Sequence, residues 1–241
     1  MRKLLIFIII SLIPCVYADQ YGLYQPYEYQ QKFAPEESER ILFIMDFSNS
    51  MTESLDGATK VELMLDTMKK ILPEINPNVS VGLRIYGHKM GLTPMEACRA
   101  SVLINPIRKN NAAGIAQSLT KTKPRGMTPI TFSLKQAIKY DFMGFNGKKH
   151  IILMTDGGEN CDESPCKFVM DLIKIRRDVS IDVIAFNIKD QDDLEQLQCT
   201  ALVTSGKFYN AQTAAELLQG FDNSIGRIKS VEAKLVLPQN K

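Results

Sequence analysis

The sequence lacks a surplus of charge of either sign, with 29 basic and 27 acidic residues among 241. Arg2 and Lys3 lie in an amino-terminal segment that reads as removable, and without them 27 basic residues face 27 acidic ones. The basic clusters that remain, Lys121 to Arg125 and Lys174 with Arg176 and Arg177, are short, so no nucleic-acid surface is expected. Also lacking are a glycine-rich phosphate loop, a G-x-S-x-G elbow and an H-E-x-x-H helix, the commonest signatures of enzymes. There are only two histidines. His88 follows a strand, but no serine or cysteine is arranged to make it a general base, and a structural polar contact is expected of it. No internal repeat is found.

No apolar run reaches the ~20 residues that a membrane-spanning helix needs. The run from Leu4 to Leu12 is cut short by Pro14 and by the polar stretch from Asp19. With Arg2 and Lys3 before it and Val16-Tyr17-Ala18 after it, this run reads as a secretory signal peptide over residues 1–18. An uncleaved anchor is the alternative, and Cys15 raises lipidation, against which the preceding Pro14 speaks. After cleavage the chain is expected in the periplasm or outside the cell, with peripheral membrane contact or none. An exported chain meets an oxidising compartment, so Cys98, Cys161, Cys166 and Cys199 read as two disulfides in one of three connectivities. A zinc site using these cysteines with His88 or His150 is the rival reading, but the C-x4-C spacing of Cys161 and Cys166 is not that of a recognised finger.

What is present is order of two kinds. Residues 19–37 are rich in Tyr, Gln, Glu and Pro, including Tyr21, Tyr24, Tyr27 and Tyr29, and read as a flexible linker. From Arg40 onward, short apolar runs alternate with amphipathic helical ones, the pattern of a mostly parallel sheet covered on both faces. Ile41 to Met45 and Ile151 to Thr155 are continuous apolar strands, as buried central strands are. Val79–Tyr86, Ser101–Ile104, Ile181–Phe186 and Phe208–Tyr209 are further strands. Helices are expected from Val61 to Leu72, where Pro73 ends the run, and over Ala112–Leu119, Ile130–Tyr140, Cys166–Arg177, Asp192–Val203 and Thr213–Ile228. The tail, residues 229–241, either adds a strand through Ala233 to Leu237 or lies loose.

Asp46-Phe47-Ser48-Asn49-Ser50 follows the first buried strand and Asp156-Gly157-Gly158 follows the later one. Between them, Gly126-Met127-Thr128-Pro129 offers a hydroxyl just before a helix. Two carboxylates and three hydroxyls are oxygen donors only, which suits a hard cation such as Mg²⁺, with Mn²⁺ or Ca²⁺ as alternatives; zinc or copper would want His or Cys. Two carboxylates against a dication leave a nearly neutral site that can still attract an external carboxylate. D-x-S-x-S alone is a weak signal, because Asp and Ser also favour caps and turns. The placement of all three segments at the element ends such a site requires is what turns capping into an insufficient explanation. Glu159 and Asp162, close by in sequence, either line the approach or solvate the loop.

These residues resemble the metal-ion-dependent adhesion site of von Willebrand factor A domains, with Asp46-x-Ser48-x-Ser50, Thr128 and Asp156 matching its five positions over a resembling span of residues 38–228. Tyr86-Gly87-His88, Arg125 to Pro129, Thr155 to Cys161 with Pro165-Cys166, and Leu197-Gln198-Cys199 resemble a group of exported bacterial members. The resemblance implies a doubly wound α/β fold with a six-stranded sheet in the order 3-2-1-4-5-6, its edge strand near Ser101 antiparallel. It implies that Ser48, Ser50 and Thr128 ligate directly, Asp46 and Asp156 directly or through water, and that the last helix shifts when the metal gains a partner. In that topology the helices from Cys166 and Asp192 are neighbours, which implies the pairs Cys166–Cys199 and Cys98–Cys161. The expected function is an exported, non-enzymatic binding and adhesion module that captures an Asp or Glu of a protein partner. The alternatives are a structural accessory of an envelope complex and a metal-dependent hydrolase, the latter lacking a free base.

Overall fold

Ile41 to Met45 have no side chain able to face water, and the strand they form, β1 (Glu39–Asp46), is buried along its whole apolar length. In the computed structural model, which describes residues 39–161 and 164–236 with side chains through residue 226, β1 lies between two parallel neighbours. These are β4 (Ser80–Tyr86) and β6 (Lys148–Thr155), in the registers Ile41↔Val81 and Ile41↔His150. The expected signal peptide, the linker and Asp162 lie outside the described residues.

The remaining strands complete a six-stranded sheet in the order β5-β4-β1-β6-β7-β8, with β5 (Ser101–Arg108), β7 (Val179–Phe186) and β8 (Phe208–Ala211). Only β5 is antiparallel to its neighbour, so the sheet has the expected 3-2-1-4-5-6 order of its successive strands. Alternation along β1 sorts the core into two layers. Ile41, Phe43 and Met45 pack with α1 (Lys60–Ile71), α3 (Ala112–Lys121) and α7 (Ala214–Val236) through Met64, Met68, Ile115, Leu119, Leu217 and Phe221. Leu42 and Ile44 face α4 (Ile130–Gln136), α5 (Pro165–Ile175) and α6 (Gln191–Val203), through Ile130, Leu134, Val169, Leu172, Leu197 and Ala201.

Several boundaries differ from the sequence reading, each for a local reason. The helix from Ile130 is α-helical only to Gln136 and widens into a π turn over Ala137–Asp141. The wide turn presents Asp141 to Arg84, whose Nε and Nη2 donate to its two oxygens at 2.6 and 2.7 Å, with both side chains almost wholly buried. The last helix does not stop at Ile228: α7 continues to Val236, so the tail forms no strand through Ala233. A hairpin that the periodicity does not show, β2 (Ser54–Leu55) with β3 (Ala58–Thr59), precedes α1. Its turn is Asp56-Gly57, both at positive φ, a dipeptide suited to a tight two-residue hairpin. Thr59 then caps α1 in a reciprocal box with Glu62. A short helix, α2 (Pro94–Ala97), lies before β5.

Candidate metal centre

Parallel strands β1 and β6 end side by side, and their ends carry Asp46 and Asp156 into one crevice. Ligands of open α/β sheets bind at such a place, where the winding direction changes. Asp46 Oδ1 accepts the backbone amide of Ser48 at 2.6 Å. Its Oδ2 accepts the Tyr86 hydroxyl at 2.9 Å and the Thr155 hydroxyl at 2.8 Å. Ser48 Oγ lies 3.0 Å from Ser50 Oγ, and Ser50 Oγ donates to Asp156 Oδ1 at 2.7 Å. The side chains of Ser48, Ser50 and Asp156 are thus joined in series, and Asp46 is tied to them through the backbone amide of Ser48.

The loop that carries Thr128 adjoins the segment of Ser48. Gly126, two residues before Thr128, pairs with Ser48, and the Asn49 amide donates to Gly126 O at 3.0 Å. Thr128 is buried; its amide donates to Asn160 Oδ1 at 2.8 Å, and its hydroxyl lies 3.5 Å from Asn160 Nδ2. The loops approach so closely that side chains are excluded between them. A Cβ on Gly87, which has φ +70°, would stand 2.4 Å from the Ser48 amide nitrogen, and one on Gly126 would stand 2.3 Å from Lys89 O.

Two carboxylates held this deep disfavour their own ionisation. Burial, and then the charge of Asp156, push Asp46 up to about 6 against the hydrogen bonds it accepts. Burial raises Asp156 as well, while Ser50 and Lys60 oppose the rise. Burial and the nearby Asp46 charge keep the Tyr86 hydroxyl protonated, and so a donor. Among the described residues no three His, Cys, Asp or Glu side chains converge as a metal cluster. The donor set is two carboxylates with hydroxyls, a composition that fits a hard divalent cation and would relieve the repulsion between the two acids.

Other sequence candidates take different places. Glu159 ties its own loop to α4: its two oxygens accept the amides of Thr131, at the start of α4, and of Cys161, at 2.6 and 2.8 Å. His88 does not make the polar contact expected of it at Nδ1, which is buried with no hydrogen-bond partner among the described residues. Burial, then the charge of Lys89, lower its pKa. His88 borders a groove with Lys121, Lys123, Arg125, Val102 and Ile104. The Arg125 amide donates to Phe47 O and Gly87 O, which sets this groove beside the crevice. The cysteines are joined as Cys98–Cys161 and Cys166–Cys199.

The sequence reading gave no role to Tyr86, Thr155, Asn160 or Lys60. A tyrosine at the end of a buried strand is itself a signal, since a buried hydroxyl needs a partner. Lys60 carries no comparable mark; it opens an amphipathic helix, where a lysine is ordinarily solvated.

A model of the family described as von Willebrand factor type A domain matches residues 41–223. The uncharacterized protein YwmD of Bacillus subtilis (strain 168) is 25% identical over 187 residues, covering 76% of this chain and 83% of that protein. A solved structure of proximal thread matrix protein 1 from the mussel byssus, with a zinc-occupied MIDAS motif, is similar at a TM-score of 0.61 and 20% identity. It covers 80% of this chain and 46% of that one. The pilus adhesin SpaC of Lactobacillus rhamnosus GG is similar at a TM-score of 0.62 and 15% identity, over 80% of this chain and 30% of that one.

Proposed function

This chain belongs to the von Willebrand factor type A domain family, and we propose that it is an exported binding module that captures an Asp or Glu carboxylate of a partner protein through a divalent cation. Asp46, Ser48, Ser50, Thr128 and Asp156 would hold the ion, with Mg²⁺ the first choice and Mn²⁺ or Ca²⁺ the alternatives. The observation that carries the reading is that Asp46, Ser48, Ser50 and Asp156 gather at one crevice, with Ser50 hydrogen-bonded to both Ser48 and Asp156 and the Ser48 amide to Asp46. A bound dication supplies a Lewis acid for an external carboxylate oxygen. The protein's own part is to aim donors: Tyr86 and Thr155 fix Asp46, and Asn160 holds the Thr128 loop.

The approach favours an acidic partner. Lys121, Lys123 and Arg125 line the adjoining groove without a carboxylate among its lining residues, a pattern that speeds encounter with acids. The zinc-occupied MIDAS of the mussel protein and the adhesin role of SpaC support metal-dependent adhesion as the class. Two disulfides suit the oxidising compartment an exported chain enters. Binding is favoured over hydrolysis because both carboxylates are engaged by neighbouring donors, leaving neither as a free base.

The test is calorimetric uptake of Mn²⁺ by chelator-stripped protein, with Asp46→Ala and Thr128→Ala alongside. A single ion per chain is expected, with uptake lost in Asp46→Ala and weakened in Thr128→Ala. Uptake that survives Asp46→Ala, or none by the unaltered protein, would end the proposal. Co-purification of an envelope partner that disappears both with chelator and with Asp46→Ala separates capture from a merely structural ion.

A further inference from the structure

Lys60 is the first residue of α1, yet only 5% of it is exposed. The Asp56-Gly57 turn folds the chain back so that the Lys60 amide donates to Glu53 O at 2.9 Å, and this brings the side chain over the crevice. Its ammonium lies 2.7 Å from Glu53 Oε2 and 3.0 Å from Asp156 Oδ2. One oxygen of Asp156 therefore faces Ser50 and the other faces a fixed cation.

On the reading of a divalent site made above, we propose that Lys60 is a built-in counter-ion of that site: it holds Asp156 in place without metal and makes firm retention of a divalent ion depend on an acid supplied by the partner. The charge count leads there. Asp46 and Asp156 alone would balance a dication, but with the buried ammonium included the occupied site carries net positive charge. Glu53 offsets this only in part, because its side chain is 63% exposed and its charge is screened by water. An external carboxylate restores neutrality, so ion and partner strengthen each other's binding by the same factor. Lys60 is a positioning residue here: it acts on the ion through Asp156 and through its charge.

The experiment is titration of Mn²⁺ into the chelator-stripped protein with and without acetate as a carboxylate probe, in unaltered, Lys60→Met, Lys60→Arg and Glu53→Gln forms. Lys60→Met is expected to bind Mn²⁺ at least about tenfold more tightly in the absence of acetate, the scale of one nearby charge. Its affinity should gain less from acetate than that of the unaltered protein. Lys60→Arg, which keeps the charge, should behave as the unaltered protein does. A Lys60→Met affinity equal to or weaker than the original overturns the proposal while leaving the metal site standing. If circular dichroism shows that Lys60→Met does not fold, Glu53→Gln decides: it leaves the ammonium to Asp156 alone and should bind Mn²⁺ a few fold more weakly, and unchanged or tighter binding overturns the proposal. Absence of Mn²⁺ uptake by every folded form removes the metal site and this inference together.

Discussion

Asp46 is the residue on which the site's response to pH turns. Burial, reinforced by Asp156, holds it at about 6 rather than its ordinary 3.8. Between those values the folded chain keeps a proton that the unfolded chain has lost. The metal-free protein should therefore be most stable at the acid end of that window and lose stability as pH rises through about 6, by on the order of 2–3 kcal/mol. Asp178 and Asp182 are held below their ordinary values, so their opposite contribution fades only at lower pH; within the window the raised Asp156 adds to the loss, and the lowered His88 offsets part of it as pH rises toward 6.5. Urea unfolding in chelator at pH 4.5 and pH 7.5 checks this, with Asp46→Asn expected to remove most of the difference; equal stability at the two values would contradict it. Divalent binding should run the other way, weakening as pH falls below about 6, because a carboxylate must give up its proton to bind an ion.

At the scale of elements, α7 is the helix that the family resemblance marks as mobile, and a buried polar contact fastens its middle. Leu217, Phe221 and Ile225 recur at helical spacing and face the core, while Ser224 between them donates to Asp182 Oδ2 in β7. Asp182 also accepts the Lys207 amide at 2.8 Å, and His150 Nε2 lies 3.2 Å from it. Burial works against the charge on Asp182, and His150 and these donors outweigh it. Ser224→Ala removes a hydrogen bond to a buried carboxylate, so a loss of about 1.5–3 kcal/mol is expected in urea unfolding. Hydrogen exchange should accelerate along α7 more than along α1, which shares its face of the sheet; uniform exchange in both helices would show that Ser224 does not fasten α7.

Across the whole molecule the two disulfides do different work. Cys166–Cys199 joins α5 to α6, packed neighbours on one face of the sheet. Cys98–Cys161 ties the segment after α2 to the loop whose Asn160 holds Thr128. Replacing either pair by serines should cost roughly 2–4 kcal/mol through a less restricted unfolded chain. Only Cys98→Ser with Cys161→Ser should also weaken Mn²⁺ uptake, and equal uptake in the two double variants would show that the first bridge does not support the site. The same end of the molecule carries the basic groove and the exposed Met90, Leu92 and Met95, so contact with a partner there would cover apolar as well as charged surface.

Periodicity and residue chemistry were enough for the α/β class, the buried central strands and the residues at strand ends, because alternation and helical spacing are local properties written along the chain. The five oxygen-bearing candidates were legible for the same reason: each stands immediately beside an element boundary that the pattern marks. The widening at Ala137–Asp141 and the run of α7 to Val236 were not, since backbone hydrogen bonding at an element's end answers to its packing partners as much as to its residues. Lys60 shows the limit most clearly. Its type and position describe an ordinary solvated helix start, and its meeting with Asp156, 96 residues away, exists because a two-residue turn and the pairing of β1 with β6 bring both to one crevice. Charge balance in a buried site depends on distances through space, and those arise only when the chain has folded.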